Sequence, residues 1–116
     1  PLLLPPRNTS MRRVIDRAAG AQRLALTAQA EIDGVRLLAS LAFEGFGAAI
    51  VPATAIPGWL KGEYARVAIP ELPPRIVGWA SRKRPLPNKP TRAALEITKA
   101  VIAKSGGRQP GVTTNL

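Results

Sequence analysis

Twice in its first half this chain sets a short apolar run, a polar turn and an amphipathic helical stripe in succession, and a third apolar run follows. The first run, Leu2-Leu3-Leu4, is closed by Pro5 and Pro6, which have no N–H to give a strand ladder. Asn8, Thr9 and Ser10 are all good helix caps, and after them Met11, Val14, Ile15 and Ala18 recur at helical spacing. Arg12, Arg13, Asp16 and Arg17 fall outside that stripe, and Gly20 is positioned to stop a helix that ends near Ala19. Leu24 to Ile32 alternates well enough for a strand, with Leu24, Leu26, Ala28 and Ala30 on one side. Asp33 then offers a cap for a second helix carrying Val35, Leu37, Leu38, Leu41 and Ala42, which Gly45 and Gly47 would end before a strand at Ala48 to Val51 and Pro52. Strand, helix, strand, helix, strand in roughly fifty residues leaves few solutions besides an α/β fold with a largely parallel sheet flanked by helices.

The second half is less regular. Ala53 to Gly62 suits a short helical turn around Ile56 and Trp59, and two strands are expected at Tyr64 to Ile69 and Arg75 to Ser81, parted by Pro70 to Pro74. From Pro90, a favourable first-turn residue, Ala94, Leu95, Ile97, Val101 and Ile102 predict an amphipathic helix to about Lys104, ended by Gly106 and Gly107. Residues 105–116 have few apolar anchors and read as a flexible tail.

Composition narrows the chemistry. The chain has 116 residues and is 46% hydrophobic, enough for one modest core. Without Cys or His, disulfides, thiol chemistry, structural zinc and an imidazole base are excluded, and nothing calls for a cofactor. No apolar stretch approaches the roughly 18 residues of a membrane span. The chain opens on Pro1 inside an apolar run, without Met or a basic leader, and is read as a piece of something longer. Its 17 basic and 7 acidic residues give a net charge of +10, which raises nucleic acid as a partner. The basic residues are scattered, however, and aromatics make up 4%, so there is no stacking platform for single strands.

In a parallel sheet the carboxyl ends of strands and the amino ends of the following helices share one rim, where ligands bind. Two such junctions are visible, at Pro6 to Ser10 and at Ile32 to Val35. Free backbone N–H groups and the positive helix ends suit an anion there, and Asn8, Thr9 and Ser10 offer directional hydrogen bonds; the competing reading is simple helix capping. Gly45 and Gly47 lack the third glycine of a dinucleotide fingerprint and follow a helix, so they read as a turn. Glu31 and Asp33, two apart on a strand, would be the acid and base of a small α/β hydrolase, with Ser10 another candidate; Asp33 reads better as a cap. Asn8-Thr9-Ser10 as a glycosylation pattern and Pro87 to Pro90 as PxxP are short chance matches. Arg82, Lys83 and Arg84 read as a solvated strand end, and Trp59 and Trp79 as core anchors.

The order of these elements and several strings resemble the C-terminal effector-binding domain of LysR-type transcriptional regulators. Ala30-Glu31-Ile32-Asp33-Gly34-Val35-Arg36-Leu37-Leu38, running into Gly45-Phe46-Gly47-Ala48-Ala49-Ile50-Val51-Pro52-Ala53, is similar to that family's strand, helix and Gly-x-Gly, apolar run, Pro signature. Leu3 to Arg7 resembles the strand opening the family's second lobe, and Arg75 to Pro85 the strand crossing back to the first. The resemblance covers residues 1–104 and implies a type 2 periplasmic-binding-protein-like lobe, with 82–104 returning toward a first lobe that these residues do not include.

The resemblance further implies a non-enzymatic, cytoplasmic bacterial sensor that binds a small effector, expected to carry a carboxylate, and that works as a homo-oligomer. DNA would be contacted only through a helix-turn-helix domain absent from these residues. Effector contacts carry over to Arg7, Asn8, Thr9 and Ser10 at the first turn, to Asp33, Gly34 and Val35 at the second, and to Ala48 on the third strand. Gly34 stands where the family often has a small hydroxyl residue, which removes a contact there. A basic nucleic-acid-binding module and the small hydrolase are the rival readings.

Overall fold

A computed structural model describes residues 1–83 and 88–115. Arg84 of the basic run, the Pro85 and Pro87 of the other motifs, and Leu116 lie outside the described residues. The chain divides into two units, Pro1–Arg75 and Ile76–Leu116.

The first unit is built on β1 (Leu2–Leu4), α1 (Ser10–Ala21), β2 (Ala28–Glu31), α2 (Val35–Phe43) and β3 (Ala48–Ala49). The three strands form a parallel sheet in the order β2-β1-β3, so the expected α/β architecture stands. Leu2 faces Ala28 on one side and Ala48 on the other, with a register shift between Leu2 and Leu3 on the β2 side. As the central strand, β1 is flanked by backbone on both edges, and Leu3 and Leu4 are accordingly buried. With Ile15 of α1 and Leu38 and Ala39 of α2 they make the apolar core.

Both helices of this unit end in the same way. Gln22 caps α1, and beyond it Arg23 N–H donates to the Gly20 carbonyl at 3.0 Å and Leu24 N–H to Ala19 at 2.9 Å. Glu44 caps α2, with Gly45 N–H on Ala42 at 3.1 Å and Phe46 N–H on Leu41 at 3.0 Å. These are paired Schellman bonds, which place the residue after the cap in the left-handed region. At α2 that residue is Gly45, with φ +82°, as glycine permits; at α1 it is Arg23, with φ +56°. The expected stop at Gly20 is therefore corrected: α1 runs through Gly20, and an arginine takes the turn.

Several expected strands are shorter or absent. Of Leu24 to Ile32 only Ala28–Glu31 pairs, because Thr27 is the first residue to reach β1, through its carbonyl and Leu2 N–H at 2.9 Å. Leu24 is left 62% exposed. Residues 64–69 and 75–81, and the whole described part of the crossing segment, form no strand; alternation supplies a face but not a neighbour to pair with. The helical turn expected across 53–62 contracts to a 3-10 turn at Ala53–Ala55. Trp59 and Trp79, expected as core anchors, are 78% and 46% exposed, as the surrounding segments present no packed layer to receive them.

In the second unit α3 (Lys89–Ser105) starts one residue before Pro90. Asn88 caps it, its side-chain oxygen accepting from Thr91 N–H at 3.0 Å. Lys99 lies 5.9 Å from the Trp79 ring centroid, a cation–π contact. A 3-10 turn, Gly106–Arg108, follows α3.

Candidate functional site

The carboxyl ends of β1 and β2 feed the amino ends of α1 and α2, and between these junctions lies a small cleft of about 140 Å³. Pro5, Thr9 and Met11 line it from the first junction; Ile32, Asp33, Gly34, Val35 and Leu38 line it from the second. The expected rim is thus real, and Thr9, Asp33, Gly34 and Val35 come together in it.

The two junctions differ in how they satisfy their helix. Thr9 is the cap of α1: its Oγ1 accepts from Arg12 N–H at 3.2 Å and donates to the Pro6 carbonyl at 2.8 Å. One hydroxyl thereby closes the turn after β1 and starts the helix. At α2 the cap is Gly34, with no side-chain bond to the helix, so Asp33 is not the cap it was expected to be. The chain reaches Gly34 at φ +95°, a conformation that side-chain-bearing residues rarely adopt, and this backbone turn sets the helix start one residue later than the Asp33 cap would. Asp33 instead sits exposed on the cleft wall.

Arg7, Asn8, Ser10 and Ala48 do not line this cleft. Arg7 is 80% exposed, its Nε 3.4 Å from Glu31 Oε1. Asn8 is exposed and gives its carbonyl to Arg13 Nη1 at 3.3 Å. Ser10 is the exposed first residue of α1. Ala48 pairs with Leu2, at the opposite end of β1 from the cleft.

The residue that sequence reasoning missed is Arg12. It was placed outside the apolar stripe, yet it is only 2% exposed. Three residues before Ile15, it shares that residue's inward face. Its Nε donates to Asp16 Oδ1 at 2.9 Å, and its Nη1 donates to the Pro5 carbonyl and to Glu31 Oε1, each at 3.0 Å. The Asp16 hydrogen bond, opposed by desolvation and reinforced by Glu31, raises the guanidinium above its ordinary pKa. The hydrogen bond from Arg12 draws the Glu31 carboxyl below its usual value, with Arg7 adding to the effect. An Arg followed four residues later by Asp, with a Glu closing the next strand, was the available signal. It also removes Glu31 as a free general base, since two guanidiniums hold its carboxylate.

Among the described residues no group of three or more His, Cys, Asp or Glu could hold a metal ion, and no helix is long and apolar enough to cross a membrane. A parallel α/β sheet with a cleft at its strand ends is the geometry of a ligand-binding α/β domain. The family of the LysR substrate binding domain matches residues 1–103, and the chain belongs to it. No curated protein and no solved structure matches the chain. Membership implies effector sensing in a transcriptional regulator, and domains of this family are regulatory.

Proposed function

We propose that the domain senses a small anionic effector, its carboxylate received at the uncapped start of α2 and its body held against the apolar wall of the cleft. The supporting observation is that both strand–helix junctions open into one cleft while α2 lacks a side-chain cap. Its first backbone N–H groups and positive helix end suit an anion, and Pro5, Met11, Ile32, Val35 and Leu38 suit an apolar body. Arg7 and Asn8 on the adjoining turn, and Ser10 at the start of α1, would reach a larger ligand.

Residues 1–104 furnish one wall of the effector site as the second lobe, with 82–104 leading back to a first lobe that closes over it. Effector binding shifts the equilibrium of a cytoplasmic homo-oligomer by its differential affinity for two states, and so changes DNA binding by a helix-turn-helix domain. Isothermal titration of the intact regulator with a broad panel of carboxylates and aromatics tests this. A ligand binding tighter than millimolar, and weakened by substitution at Thr9 or Val35, supports it; no such ligand across the panel refutes it.

A further inference from the structure

The cleft's two lips are tied to each other by main-chain and side-chain bonds. The ladder between β1 and β2 ends where Ile32 N–H donates to the Leu4 carbonyl at 2.9 Å. Beyond that bond two arginines reach across to Glu31, Arg7 from an exposed position at 3.4 Å and Arg12 from a buried one at 3.0 Å. Arg7 belongs to the first lip and reaches Glu31 with its backbone as well as its side chain, whereas Arg12 holds that lip from α1, through the Pro5 carbonyl by its side chain and through Thr9 Oγ1 by its backbone N–H. Pro5 and Thr9 line one side of the cleft; Glu31 immediately precedes Ile32 and Asp33 on the other.

Resting on the reading of this cleft as the effector site, we infer that Arg12 is a positioning residue, whose buried guanidinium sets the spacing of the two lips and thereby the affinity for the ligand between them. Burial of an arginine beside carboxylates gains little stability over apolar side chains of similar volume. What the planar fork supplies is direction: bonds to a main-chain carbonyl and two carboxylates on three different segments. No polar side-chain atom buried in the described residues is left unpaired.

The test is amide hydrogen exchange by NMR on the 116-residue chain and on Arg12→Met/Glu31→Gln, which removes the buried cation and its partner charge together. Exchange at Thr9, whose N–H closes the first turn on Pro6, and at Ile32, whose N–H crosses to Leu4, is expected to quicken at least about tenfold. Glu44, bonded to Ser40 inside α2 and away from the network, should stay within about twofold. Arg12→Lys, which keeps the charge and loses the fork, should show the same local pattern to a smaller degree and serves if the double variant fails to fold. Propionate, titrated by calorimetry against the intact regulator, should bind the same variants of it at least about fivefold more weakly, the loss expected when a preorganised site loosens. Equal quickening at all three amides would make Arg12 a stabilising residue only, and unchanged exchange would overturn the inference outright. Local quickening together with no propionate binding to the intact regulator would keep the tie between the lips and refute the effector reading of the cleft and Arg12's role in affinity with it.

Discussion

The two strand–helix units of the sheet carry opposite imbalances. The first, β1 with α1, starts on a side-chain cap at Thr9 and ends with Arg23 forced into the left-handed region. The second, β2 with α2, starts bare at Gly34 and ends on a relaxed Gly45. A helix start closed by its own side chain has less to offer a ligand, whereas one left open keeps N–H groups for it. The α1 junction is thus closed by its own side chain and the α2 junction is not, and Arg12 bonds the Pro5 carbonyl of the first and Glu31 beside the second.

The sharpest break in this comparison comes from Arg12→Ala. Leaving Glu31 and Asp16 without their buried partner should cost about 3 kcal/mol, at the low end for a broken buried pair because both carboxylates are partly exposed. Urea denaturation measures it. The same network predicts an acid limb. Because the folded chain lowers the Glu31 pKa, its contribution is complete above the ordinary glutamate pKa of about 4.3 and is lost as pH falls from there through the lower folded value. Glu31→Gln should flatten that part of the stability–pH curve; an unchanged slope would show that the arginines do not prefer the ionised form.

Gly34→Ala should destabilise by about 2 kcal/mol, since a side chain at φ +95° is strained although nothing lies within 4 Å of it. Thr9→Ala should cost about 1 kcal/mol as a lost cap, whereas Asp33→Ala, with no cap bond to lose, should change the melting temperature little. Equal costs for the last two would erase the distinction between the junctions. At the far ends, Arg23→Gly should stabilise by about 1 kcal/mol by relieving the left-handed arginine. The smallest effect falls on the ligand: Asp33→Asn, removing a negative charge from the cleft wall, should tighten propionate by about twofold, corresponding to roughly 0.5 kcal/mol for an exposed charge.

Legibility followed the source of each signal. The stretch from Leu2 to Pro52 was readable as alternating strands and helices because each apolar run there is bounded by prolines, caps or glycines that act locally. Beyond it, Tyr64 to Ile69 and Arg75 to Ser81 had the composition of strands but no paired neighbour, and the structure leaves them irregular. At the site, Thr9, Asp33, Gly34 and Val35 were legible because a parallel sheet brings its strand ends and helix starts to one rim. Asp33 was misjudged as a cap, because the choice between it and Gly34 depends on the backbone angle at which α2 departs.

By itself the sequence determined the α/β order, the parallel sheet and the family, since these rest on the spacing of apolar residues and turn formers along the chain. Only the tertiary structure decided that Arg12 is inside. A stripe of helical spacing tells which face turns inward, but whether a guanidinium can follow depends on acceptors that arrive from elsewhere. Here they are the Pro5 carbonyl just past β1 and the Glu31 carboxylate at the end of β2, brought within 3.0 Å of Arg12 by the pairing of β1 with β2.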